Sequence, residues 1–189
     1  MTQRSVPAAR TAASIAPLWQ ALDLHLFAWV GGGHAARPRT LALACALGRW
    51  SWVPLLAMMT AVALRDGTAG LWVLGQCLAV AALVQLASKR LARRWCAQRP
   101  FMRGLSPNHL NHSTRGGFPS THATVMGAVL GFMALQLPAA DPAFAGMALT
   151  VLATGWARVY AGAHFPLDVL AGLVFGGLSG ALLAATWAS

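Results

Sequence analysis

The stretch Thr68-AGLWVLGQCLAVAALVQLA-Ser88 carries no formal charge and is apolar almost throughout. It reaches the ~20 residues that a helix needs to cross a hydrocarbon core. Arg65-Asp66-Gly67 turns the chain just before it, and Lys89, Arg90, Arg93 and Arg94 follow just after. A charge-free run bounded in this way reads as a spanning helix whose basic end anchors at the membrane surface and extends to about Cys96. Further charge-free intervals run from Gly116 to Ala140, Pro142 to Ala157 and Val169 to Ser189. They are continuously apolar rather than alternating, which argues against a transmembrane barrel.

Composition agrees with this reading. The 189 residues are 57% hydrophobic and only 10% charged, where a soluble domain carries roughly 25% charged residues, and the mean hydropathy is +0.58. The expected fold is all-α: a polytopic membrane bundle of five or six helices, forming one domain over residues 1–189 behind a basic tail at 1–17. Arg4 and Arg10 precede Pro17 without a compact apolar region and a small-residue cleavage site, so no cleaved signal is expected. Cys45, Cys77 and Cys96 have no metal-ligand spacing and read as small buried hydrophobes.

Residues 18–30, interrupted by Asp23 and His25, either lie in the interface with Trp19 and Trp29 as anchors or cross as a short first span. Gly31 to Gly33 end that segment. Residues 40–64 form a span with Arg49 inside it, which must snorkel or face the bundle interior. Residues 97–118 form a long loop rich in Pro, Asn, His and Gly. A helix then opens at Pro119-Ser120-Thr121 and runs to Leu137. A span over 143–158 follows, and the last begins around Pro166. Gly172, Gly176 and Gly180 recur every four residues, as do Gly127 and Gly131, a spacing that lets membrane helices approach closely.

The net charge of +10 does not point to nucleic acid. Seven of the fourteen Lys and Arg residues lie between Lys89 and Arg115, in one interhelical region, and most of the aromatics stand in apolar segments rather than interleaved with that basic run. An anionic substrate at the membrane, or anionic headgroups, is the simpler partner.

Three patches carry chemistry. Arg99-Pro100-Phe101 follows the basic helix end. Gly116-Gly117-Phe118-Pro119-Ser120-Thr121-His122 opens the next helix, and Arg158-VYAGA-His164-FPL-Asp168 joins the last two spans. Tracing the spans back and forth puts all three on one membrane face. Asp168 is one of only four acidic residues. At i+4 from His164 it shares a helix face with the imidazole, and a carboxylate there fixes the tautomer and strengthens the other nitrogen as base or nucleophile. Arg158 supplies a planar cation suited to phosphate oxygens. Pro119 suits a first helical turn, and a helix N-terminus behind glycines is a ready anion site. Ser120 adds a hydroxyl donor and Thr121 a backbone N–H, with His122 placed to protonate a leaving oxygen. His109 and His112 read as solvated loop residues, with a contact to the substrate headgroup as the alternative. His25 and His34 read as interfacial, and Lys89 to Arg94 as an anchoring run, with one of its cations completing the phosphate pocket as the alternative.

These patches resemble the type 2 phosphatidic acid phosphatase family, membrane enzymes that share a site with vanadium haloperoxidases. The family pattern is Lys, six residues, Arg-Pro; then Pro-Ser-Gly-His; then Arg, five residues, His, three residues, Asp. The third element is present in full at Arg158, His164 and Asp168. The second is present at Pro119, Ser120 and His122, with Thr121 in place of Gly. The first is present only at Arg99-Pro100, because Ala92 stands where the family has Lys. The match is strong over residues 89–172, and the Arg-Pro-Phe opening and Gly-Phe-Pro-Ser stretch look most like the undecaprenyl-diphosphate phosphatase branch.

The resemblance implies that His164 attacks phosphorus with Asp168 orienting it, while His122 serves as acid and base. Arg99, Ser120, Thr121 and Arg158 would bind the phosphate, with no metal and no cofactor. The implied substrate is a lipid phosphate or diphosphate, first undecaprenyl diphosphate and second phosphatidate or phosphatidylglycerophosphate. A non-catalytic lipid carrier on this scaffold is the rival from another class, and a haloperoxidase is disfavoured because those relatives are soluble. The basic residues gather on the active-site face, which by the charge rule would be cytoplasmic. The branch resemblance instead implies the outer face of a bacterial inner membrane.

Overall fold

The computed structural model describes residues 18–95, 97–114 and 116–187; the basic tail at 1–17 and Cys96 lie outside them. Among the described residues the chain is all-helical. The helices are α1 (Leu18–Val30), α2 (Pro38–Trp50), α3 (Trp52–Arg65), α4 (Gly67–Arg94), α5 (Thr121–Met133), α6 (Pro142–Tyr160) and α7 (Pro166–Trp187), with a short 3-10 turn at Pro100–Arg103.

Helices α4 and α7 are each long and apolar enough to cross a membrane. The expected 40–64 span is broken: α2 and α3 meet at a bend of 50° and only together reach the length of a third span. Pro54 explains the break. A proline ring clashes with the carbonyl four residues earlier, here that of Trp50, where α2 ends. Arg49 therefore sits at a helix end rather than mid-span, with its side chain exposed. Helix α5, at 13 residues, is about 20 Å long and shorter than the run to Leu137 expected from sequence. The large apolar side chains that face outward include Leu71, Leu78, Leu83 and Leu86 on α4 and Leu170, Val174, Phe175, Leu178 and Leu182 on α7. A soluble protein rarely leaves so continuous an apolar face uncovered; lipid covers it here.

The bundle is tightest between α5 and α7. A Cβ on Gly176 or Gly180 would land on the carbonyl oxygen of Thr124 or Ala128, so the glycine stripe brings two backbones into contact, as its spacing leads one to expect. At the site end this pairing continues as a backbone hydrogen bond from Ser120 N to Asp168 O, 3.0 Å long. At the opposite end Arg65 pairs with both Asp66 and Asp141 at 2.9 Å, and the Asp141 side chain caps α6 by accepting from Ala143 N at 2.8 Å. Two of the four acids are thus used far from the site, and the other two are Asp23 and Asp168.

Candidate active site

The turn between α6 and α7 is built by its sequence. Gly162 adopts φ +69°, the left-handed conformation that glycine tolerates best. Its N–H donates to Val159 O at 2.9 Å, and Ala163 N donates to Arg158 O at 3.0 Å, the Schellman pattern of a helix end. That end turns the chain so that His164 projects into the bundle, where it is 2% exposed.

His164 therefore precedes α7 rather than lying on it, which corrects the picture of two residues on one helical face. Its Nδ1 is 2.9 Å from Gly117 O and 3.8 Å from Asp168 Oδ2. Asp168 Oδ2 accepts from Phe165 N at 3.0 Å. The carboxylate faces the imidazole at longer range, while the backbone carbonyl fixes the ring. On the other side Arg99 Nη1 lies 2.8 Å from His164 Nε2. A guanidinium can only donate, so Nε2 must accept and Nδ1 must carry the hydrogen given to Gly117 O. The lone pair of Nε2 thus faces the cationic side of the site. Burial, with the charges of Arg99 and Arg158, holds the His164 imidazole well below its ordinary range, so it is neutral near pH 7.

Gly117 also lets Arg99 pass, since a Cβ there would meet Arg99 Cγ at 2.9 Å. Arg99 Nη1 donates as well to Ala163 O at 3.0 Å, and Nη2 to Gly116 O at 3.3 Å. Arg158, 3% exposed, donates from Nη1 to Gly48 O at 3.3 Å and from Nη2 to His112 Nε2 at 2.6 Å.

A cavity of about 310 Å³ lies in front of these groups. Helix α4 lines it with Gln85, Lys89, Ala92 and Arg93, α5 with Thr121 and His122, α6 with Arg158, and the loops with Arg99, His112, Ser113, Gly116 and His164. Arg99, Thr121, His122, Arg158 and His164 are therefore gathered as the sequence patches suggest. Ala92 lines the wall where the family pattern has Lys, and Lys89 and Arg93 flank it. Ser120 sits behind the wall: it is fully buried, and its hydroxyl has no hydrogen-bond partner among the described residues. Asp168 faces a second cavity of about 340 Å³ shared with Asp23, Gln20 and Arg103. Among the described residues no cluster of three or more His, Cys, Asp or Glu is arranged to hold a metal.

Two side chains at the site go beyond the sequence motifs. His112, read first as a solvated loop residue and alternatively as a headgroup contact, lines the cavity. Asp23, buried at 5% exposure, accepts from Leu167 N at 2.9 Å and ties α1 to the start of α7. An acid in an apolar segment of a chain with so few acids was the available signal for Asp23; nothing local marked His112.

The sequence profile of the PAP2 superfamily matches residues 70–188. An Escherichia coli K12 protein named "Putative undecaprenyl-diphosphatase YbjG" is 31% identical over 82% of this chain and 77% of its own length. A Rhizobium etli lipid A 1-phosphatase is 42% identical over 41% of this chain and 32% of its own. The fold is shared with a PAP2-type phosphatidylglycerolphosphate phosphatase from Bacillus subtilis, with a TM-score of 0.69 and 22% identity, covering 94% of this chain and 90% of that one. A membrane bundle with these relatives is a phosphoric-ester hydrolase. The chain belongs to the PAP2 superfamily.

Proposed function

We propose that this lipid phosphatase hydrolyses undecaprenyl diphosphate to undecaprenyl phosphate through a phosphohistidine on His164, the whole chain acting as one unit. The observation that carries the mechanism is the His164 tautomer, with Nδ1–H held by Gly117 O and the Nε2 lone pair turned to Arg99. Nε2 attacks the terminal phosphorus, and the bond from that phosphorus to the bridging oxygen breaks. His122 delivers its proton to the departing lipid phosphate. Asp168, 3.8 Å from Nδ1, offsets the positive charge that the phosphorylated imidazole acquires. Water then attacks the same phosphorus while His122 takes its proton, the N–P bond breaks and inorganic phosphate leaves.

Arg99, Arg158 and the Thr121 backbone N–H hold the equatorial oxygens as charge builds; the Ser120 hydroxyl, without a partner among the described residues, joins them once the wall in front of it gives way to the bound phosphate. Lys89 or Arg93 supplies the cation that Ala92 lacks. Guanidinium and N–H groups neutralise the phosphoryl charge, so no metal is required for these steps.

The choice of undecaprenyl diphosphate rests on the motif branch and on the name of the E. coli relative. Phosphatidate or phosphatidylglycerophosphate would use the same residues in the same roles. A carrier without chemistry is disfavoured by the ordered His164 tautomer. The branch resemblance supports a site on the outer face of a bacterial inner membrane, with the end of α7 on the opposite side. The test is phosphate release by purified protein in detergent with chelator, offering undecaprenyl diphosphate, phosphatidate and lipid A in competition. Preferred release from the diphosphate, abolished in His164→Ala, is expected. Preference for another lipid overturns the substrate, and no release from any of them overturns the function.

A further inference from the structure

We infer that His112 is a positioning residue for phosphoryl transfer: its Nε2 holds the Arg158 guanidinium extended into the cavity, and the loop from Ser106 to His112 is built to present it. The inference rests on the reading of Arg158 and His164 as phosphate-handling groups.

The loop is clasped at its tip. Asn108 Nδ2 donates to His112 O at 2.8 Å and Asn108 Oδ1 accepts from His112 N at 2.9 Å, while Asn111 between them takes φ 52°. Asparagine is among the few residues that reach this conformation readily. Leu110 packs on α2, where a Cβ on Gly48 would stand 3.2 Å from its Cδ1. Ser106 packs against Gly162 in the turn that carries His164, where a Cβ would collide with its hydroxyl. The loop is thus fixed both to the helix whose Gly48 carbonyl binds Arg158 and to the turn that holds the nucleophile.

Arg158 explains why such a loop is needed. Its guanidinium is buried, and Nε has no partner among the described residues. Gly48 O accepts at 3.3 Å, whereas His112 Nε2 accepts at 2.6 Å. Charge-assisted bonds of that length are the strong ones, and a buried cation without acceptors is costly. Because Arg158 can only donate, Nε2 of His112 must be the acceptor, so His112 is neutral with its hydrogen on Nδ1. Burial first, then the charges of Arg158, Arg99 and His122, push His112 down to about 3, in agreement with a neutral acceptor. The His112 ring stands edge-on to His164 with centroids 6.1 Å apart, so the side chain that aims Arg158 also walls the nucleophile. When a phosphoryl oxygen takes over the Nη2 donor, Arg158 is already extended and little reorganisation remains for the transition state.

The test uses full-length protein in detergent and measures kcat and KM for phosphate release from a prenyl diphosphate. His112→Phe keeps a ring against His164 but removes the acceptor, whereas His112→Gln places an amide oxygen at similar reach. We expect kcat to fall on the order of 10- to 100-fold in the Phe variant, as for a misplaced catalytic group. KM should change less, and Gln should restore most of kcat. Asn108→Ala should lower kcat in the same direction by less. In an Arg158→Lys background His112→Phe should cost nothing further, since residues acting through one another are not additive.

Wild-type kcat in a folded Phe variant overturns the inference, as does a full additional loss in the Lys background. If the Phe variant unfolds, Gln decides: near wild-type kcat supports the role, and a folded but impaired Gln variant refutes it. His164→Ala separates the two readings. Activity in that variant sinks the assignment of the site, whereas an inactive His164→Ala beside a fully active His112→Phe sinks only the role of His112.

Discussion

Gly176→Ala puts the packing of the site to a quantitative test. The added Cβ would strike the Thr124 carbonyl oxygen and sit 2.8 Å from its carbonyl carbon and 2.9 Å from Ala128 N. Non-bonded carbon contacts are comfortable at about 3.5–4.0 Å, so α7 must move off α5 by roughly 0.7 Å or more. All three clashing atoms are backbone, and no rotamer change can relieve them. Overpacking of this kind costs about 1–3 kcal/mol. The larger effect should be on catalysis, because α5 begins with Thr121 and His122 while α7 carries Asp168 in its first turn. A reacting constellation tolerates about 0.5 Å of misplacement, and a shift of 1 Å can cost about 100-fold. We therefore expect kcat for phosphate release to fall about 10- to 100-fold, with a lowered Tm. Gly75→Ala on α4 is the control: nothing lies within 4 Å of its Cβ position, and kcat should not change. A Gly176→Ala enzyme with wild-type kcat and Tm would refute the claim that this close approach sets the site.

Three further outcomes follow from the same geometry. Lys89→Ala should lower kcat/KM by roughly 10-fold or more, the range of a lost charge-assisted hydrogen bond, whereas Arg94→Ala, outside the cavity, should not; equal effects would return the whole basic run to membrane anchoring. Because His164 is held below its ordinary range, the nucleophile stays neutral as pH falls, and the acid limb of kcat/KM should lie below pH 6.5; a limb above that value contradicts the burial argument. For His112, with a folded pKa of about 3 against about 6.5 unfolded, the unfolded chain binds the extra proton. Stability should therefore fall as pH drops from 6.5 towards 3, and His112→Gln should flatten that slope in thermal unfolding.

Much of this was legible in the sequence because it is local. The charge-free run from Thr68 to Ser88 makes a helix wherever it is placed, and His164 and Arg158 stand at a spacing that one turn can satisfy. The glycine stripe on α7 has no use except close packing. The rest is decided between residues distant in sequence. The Gly117 carbonyl that holds His164 lies 47 positions away, and the acceptor for Arg158 comes from a loop whose polar residues look like ordinary solvated ones. Asp23 meets Leu167 across 144 positions. The break in the 40–64 span is a different case: Pro54 was visible, and its clash with the Trp50 carbonyl is a local effect that hydropathy alone does not register.

The central claim is that His164 carries the phosphoryl group, and rapid acid-free quenching during turnover of a lipid diphosphate labelled in its terminal phosphate tests it most directly. The account predicts a phosphoprotein that is labile to acid and stable to base, maps to His164, and is absent in His164→Ala. Label persisting in that variant, or turnover by the wild type with no phosphoprotein at any quench time, would contradict it.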